Sequence, residues 1–116
     1  YRQSIGFELL VFDSLGAFFT LFKSDNPRDD IFRLFEACRR LDLTSFFICE
    51  MTGEDHKQFG VYGVEDYLSD GVMHLTMERK GDDITRKLGV IKMRHTHHQL
   101  GYKPINWNSE DQRFTI

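Results

Sequence analysis

Cysteine is scarce in this chain: Cys38 and Cys49 are the only two in 116 residues. That scarcity excludes a disulfide-dense secreted scaffold. Both cysteines lie in apolar contexts, one helix-like and one strand-like, and read as buried reduced thiols of a cytoplasmic protein. A structural bridge between them is the lesser alternative. Long apolar runs are missing as well. No stretch approaches the roughly 18 residues of a membrane span, and no charged, apolar and small-residue succession marks a signal peptide. Nor is there an excess of positive charge. Lys and Arg number 15 against 18 Asp and Glu, and the net charge of −3 gives no global pull toward nucleic acid or anionic lipid. Repeats, low-complexity tracts and linkers are absent, so the chain is at most one domain. It opens on Tyr1 rather than Met and enters a buried-type strand within eight residues. A processed or truncated piece is therefore expected.

Apolar residues make up 41% of the sequence and include 11 Phe, enough for a core. Residues 8–12 form a continuous apolar run of the kind found in parallel strands buried on both faces. Residues 15–22 (LGAFFTLF) predict a short helix. Asp25-Asn26-Pro27 is a helix start, with Pro at the first helical position and Asp29 and Asp30 in the first turn. Ile31, Leu34, Phe35, Cys38 and Leu41 then recur at helical spacing. Residues 44–49 (TSFFIC) predict a second buried strand, so strand–helix–strand implies a right-handed parallel crossover. A polar loop spans 52–63, and a short helix spans 64–69. From Val72 the period changes to two: Met73, Leu75 and Met77 alternate with His74, Thr76 and Glu78. A turn at Lys80-Gly81-Asp82-Asp83 sends the chain back through Ile84, Arg86, Leu88 and Val90. A last hairpin pairs 103–107 with 113–116. The expected product is an α/β fold with one mixed sheet, parallel at one side and antiparallel at the other.

Two motifs stand out. Leu9-Leu10-Val11-Phe12-Asp13-Ser14 is an apolar strand ending in a carboxylate, as in a Walker B strand. Lys92-Met93-Arg94-His95-Thr96-His97-His98 is a basic segment after an alternating strand. A GxxxxGK[ST] loop, the phosphate cradle that accompanies such motifs, does not occur in these residues. The order LLVFDS, RLFEACRRLDLTSFFICE, FGVYGVEDYLSDGVMHLTMER, RKLGVIKMRHTHH and KPINW…RFTI resembles the carboxyl-terminal half of the KaiC-like ATPases of the RecA superfamily. The similarity runs from Phe7 to Ile116, and GVEDYLSDGVMHL followed by L.VIKMR is its most specific part. The resemblance implies half of a RecA-like three-layer fold: parallel strands flanked by helices, then antiparallel hairpins. It also implies an ATP- and Mg2+-dependent parent that assembles as a homo-oligomer, a hexamer, with nucleotide between subunits. A signalling protein is a further possible partner.

The resemblance assigns roles by position. Asp13 becomes the Walker B acid, acting indirectly through a magnesium-bound water, and Ser14 its hydrogen-bonding neighbour or a helix cap. Taken alone, a carboxylate at a strand end is more often only a turn or cap residue. Lys92 and Arg94, two apart at a strand end, project to one face and match residues that reach the γ-phosphate held by an adjacent subunit. The bland alternative is a solvated strand edge kept unpaired by Lys. Thr96 and His98 match positions near the same phosphates and ribose. Glu50, directly after a buried strand, occupies a nucleotide-sensing position or is simply a polar strand end. His95 stands where the family has Gly, which bears on the local backbone.

His95, His97 and His98, with His74 nearby, invite a zinc reading, but no cysteine or carboxylate lies at companion spacing and the resemblance explains the segment without metal. The 52–63 loop matches a pore-facing loop of family hexamers. Its mixed charges (Glu54, Asp55, His56, Lys57) argue against strong nucleic-acid binding. Asp66 and Tyr67 stand where the family's clock protein carries phosphosites, which argues against clock-type autophosphorylation. Two function classes remain. One is an ATPase fragment, inactive without the phosphate loop, whose isolated form exposes apolar surface around Leu9, Val11, Phe18, Phe19, Phe46 and Ile48 and self-associates. The other is a non-catalytic self-association or partner-binding module.

Overall fold

A computed structural model describes residues 6–51 and 58–116. The chain divides into two compact units, Tyr1–Ser69 and Asp70–Ile116.

In the first unit, β1 (Leu9–Asp13) and β2 (Thr44–Ile48) form a parallel pair in which Leu9 faces Thr44 and Asp13 faces Ile48. The crossover between them carries two helices, α1 (Leu15–Phe22) and α2 (Pro27–Arg40). Each starts where the sequence provides an acceptor for orphan N–H groups. Ser14 Oγ accepts from the Ala17 amide at 3.3 Å, and Asn26 Oδ1 accepts from the Asp29 amide at 3.4 Å. Pro27 occupies the first turn of α2, Asp29 and Asp30 follow it, and Arg39 and Arg40 close the last turn, each complementing the helix dipole. Ile31, Phe35 and Cys38 form one buried stripe of α2, and Ile31 and Phe35 cluster with Leu15 and Phe19 of α1. The Phe35 ring stacks on Phe47 of β2 at 4.4 Å between centroids.

Two expectations need correction. The parallel strands are not buried on both faces. Leu10 and Phe12 are half-buried on the core side, whereas Leu9, Val11, Phe46 and Ile48 stay 45–58% exposed. The helices of this unit cover one face, and a continuous apolar run cannot reveal that the second face stays exposed among the described residues. Phe19, expected at the surface, is buried, and Phe18 is half-buried among Phe12, Phe19 and Phe22. Helical spacing turns both inward.

After β2 the 52–63 loop follows, of which residues 52–57 lie outside the described residues, and then the four-residue α3 (Glu65–Leu68). The buried carboxylate of Glu65 accepts from the amides of Tyr62 and Val64 at 3.0 and 2.9 Å, which fixes the approach to α3. Two arginines of α2 tie down the same stretch. Arg28 donates to the Tyr62 carbonyl at 2.8 Å, and Arg39 donates to the Leu68 carbonyl.

The second unit is an antiparallel sheet in the order β3 (Gly71–Lys80), β4 (Asp83–Met93), β5 (Tyr102–Asn108), β6 (Arg113–Thr115). The turn lies at Gly81-Asp82, between the paired Lys80 and Asp83. His74, Gly89 and Tyr102 lie side by side across β3, β4 and β5. The Tyr102 ring lies over Gly89, where a Cβ would meet it at 2.7 Å, and its hydroxyl is 2.7 Å from His74 Nδ1. The single mixed sheet expected from the pattern is two sheets instead. Among the described residues no further strand pairs with β1 or β2.

Candidate functional site

Parallel pairing brings the carboxyl ends of β1 and β2 side by side, the edge where open α/β sheets place their ligands. Asp13 closes β1 at this edge and is exposed; among the described residues its carboxylate has no hydrogen-bond or ion-pair partner. The Asp13–Ser14 peptide is cis. Ser14, only 6% exposed, turns the chain into α1 and donates its hydroxyl proton to Glu50 Oε1 at 3.2 Å. Glu50 stands two residues past the end of β2. Its second oxygen lies against Gly16, at 2.7 Å from where a Cβ would stand. Asp13, Ser14 and Glu50, assigned separately from sequence, therefore form one cluster, and Gly16 makes room for it.

A single exposed strand-end carboxylate fits the way magnesium is held beside nucleotide phosphates, where the protein contributes one or two carboxylates and the phosphates and waters fill the remaining positions. Among the described residues no group of three or more His, Cys, Asp or Glu could hold a metal by itself. Cys49, beside Glu50, is a free thiol, as is Cys38. Burial first, then the negative charges of Glu65 and Glu50, push the Cys49 thiol up to about 11. It is protonated and unreactive at neutral pH.

In the second unit, Lys92 belongs to β4 opposite Val72, and Arg94 stands just beyond the strand end in a turn. The two are thus not successive same-face residues of one strand. A bulge sets Met73 opposite Val90 while Val72 faces Lys92, which breaks the period of two within three residues of Arg94. Arg94 is anchored on Asp70. Its amide donates to the Asp70 carbonyl at 2.7 Å, and its guanidinium lies 3.4 Å from the Asp70 carboxylate. His95 takes a left-handed backbone, φ 60, the conformation for which Gly is the default residue. His tolerates this region better than most residues. Thr96 is exposed; His98 is half-buried, and its Nε2 is enclosed without a hydrogen-bond partner among the described residues.

Sequence reasoning missed Gly16 and Asp70. Gly16 carried a usable signal, since a lone glycine inside a helical pattern usually has a packing or functional reason. Asp70 carried none, because its contact with Arg94 spans 24 positions.

The fold is α/β, of the RecA type, and comparison with known proteins places it more narrowly. The family described as "ATPase: KaiC" matches residues 1–110. The chain is 36% identical over 94 residues to circadian clock protein KaiC3 of Synechocystis sp., a match covering 80% of this chain and 18% of that protein. It is 32% identical over 99 residues to the circadian clock oscillator protein KaiC of Rippkaea orientalis, covering 84% and 19% respectively. Among solved structures, a KaiC-like protein from the archaeon Pyrococcus horikoshii superposes with a TM-score of 0.76 at 21% identity, over 92% of this chain and 46% of the other. The chain belongs to the KaiC ATPase family. It spans less than a fifth of the length of these clock-protein relatives.

Proposed function

We propose that residues 1–116 are the carboxyl-terminal part of a KaiC-like ATPase domain, from the Walker B strand onward, and serve ATP hydrolysis at a composite site between subunits of a homo-oligomer, a hexamer. The observation that carries this reading is the cluster at the ends of β1 and β2: an unpaired Asp13 held between a β-strand and a serine-capped helix. Asp13 would hold magnesium through a bound water, and the ion would supply positive charge beside the nucleotide phosphates; Ser14 fixes the turn, and Glu50 lies alongside. Lys92 and Arg94 serve the nucleotide of the adjacent subunit, where cations stabilise charge that grows on the transferred phosphoryl group. Thr96 and His98 line the same phosphates and ribose. The exposed face formed by Leu9, Val11, Phe46 and Ile48 is apolar surface for the rest of the same domain to cover. A signalling partner is consistent with the clock proteins among the relatives.

Positioning supplies most of phosphoryl-transfer catalysis, and these residues contain no GxxxxGK[ST] cradle. The test therefore uses the complete polypeptide that contains them. Asp13→Ala abolishes ATP hydrolysis, and Arg94→Ala lowers kcat by roughly a thousandfold. Hydrolysis at the wild-type rate in either variant contradicts the assignment.

A further inference from the structure

Gly16 occupies the second position of α1, where alanine would favour the helix by about 0.5–1 kcal/mol. The residue that occupies the space of its missing side chain is Glu50. A Cβ at Gly16 would stand 2.7 Å from Glu50 Oε2 and about 4.0 Å from Ser14 Oγ. Glu50 Oε1 meanwhile accepts the proton of the Ser14 hydroxyl. A serine hydroxyl has one proton, so the direction of that proton decides which lone pairs remain. Donation to Glu50 leaves the oxygen free to accept the Ala17 amide, as observed. Three contacts, Glu50 to Ser14, Ser14 to Ala17 and Glu50 over Gly16, thus lock the residue that follows Asp13. Strand pairing locks Asp13 from the other side, against Ile48.

We propose that Glu50 is a positioning residue for Asp13, acting through the hydroxyl of Ser14, and that Gly16 is glycine to leave its carboxylate that place. This inference deepens the function proposed above and rests on it. It assigns Glu50 a role through a hydrogen bond rather than through its charge at the phosphates. A glutamine at this position retains the accepting oxygen, whereas an alanine does not. An alanine at position 16 displaces the flexible end of Glu50 and leaves the backbone of α1 undisturbed.

The test uses three variants of the complete protein: Gly16→Ala, Glu50→Ala and Glu50→Gln. Gly16→Ala and Glu50→Ala lower kcat by about tenfold to a hundredfold, with KM for ATP little changed, as expected for a misplaced group. Glu50→Gln retains near-wild-type turnover. In the nucleotide-free protein the Ala17 amide exchanges faster with solvent in Gly16→Ala and Glu50→Ala but not in Glu50→Gln. The melting temperature of Gly16→Ala does not fall, which separates lost positioning from lost folding. Wild-type kcat in both alanine variants, or Glu50→Gln as impaired as Glu50→Ala, overturns the inference. Asp13→Ala separates the two levels. If it is inactive while the alanine variants are normal, only the positioning role fails; if it is fully active, the Walker B reading fails and this inference with it.

Discussion

Up to Ser69 the chain buries five apolar side chains, Leu15, Phe19, Ile31, Phe35 and Cys38, between two helices and a parallel strand pair. From Asp70 onward it buries none among the described residues, although Met73, Leu75, Met77, Ile84, Trp107 and Phe114 are all large and apolar. The first unit is held by a core; the second is held by its ladder, its turns and cross-strand pairs such as Trp107 on Phe114, whose rings meet edge to face at 4.9 Å. The proposed site residues divide along the same line. Asp13, Ser14 and Glu50 are positioned by core-anchored elements, whereas Arg94 hangs on Asp70 at an exposed strand end. Sheets with one bare apolar face are marginal on their own.

The comparison breaks first at the core. Ile31 is fully buried, and Ile31→Ala costs about 2–5 kcal/mol of unfolding free energy. Leu75 is 70% exposed, and Leu75→Ala changes stability by less than about 0.5 kcal/mol in the unassembled chain. Chemical denaturation of both variants checks this; equal losses would mean that the second unit has a core of its own. A smaller effect sharpens the contrast within the second unit. His95 is held at φ 60, so His95→Gly relieves strain and raises stability by about 0.5–1 kcal/mol after the entropic cost of glycine. An unchanged or lower stability would show that the imidazole has contacts worth more than the strain.

How much of this could be read beforehand follows the same division. The first unit was legible in its elements because caps and periodicity act locally: Ser14 and Asn26 start their helices, and Ile31, Phe35 and Cys38 share a stripe. The hairpin of the second unit was legible from its alternation and its Gly81-Asp82 turn. What depended on distant partners was not. The bare face of β1 and β2, the inward turn of Phe19 and the split into two sheets are decided by which elements exist to cover or pair, and an apolar run reads the same in either case. The candidate site residues were assigned one by one through family resemblance. Its geometry was not, because the Glu50–Ser14 bond spans 36 positions and the bulge near Lys92 leaves no mark on the hydrophobic pattern.

The central claim, that one site is built from Asp13 of one subunit and Arg94 of the next, is tested most directly by complementation. Asp13→Ala and Arg94→Ala forms of the complete protein, each inactive alone, are co-expressed so that mixed assemblies form, and ATP hydrolysis is measured on the purified mixture. Some interfaces then pair an intact Asp13 with an intact Arg94, and a fraction of wild-type activity returns. Mixed assemblies that are verified by differential tagging and remain as inactive as either parent would contradict the account.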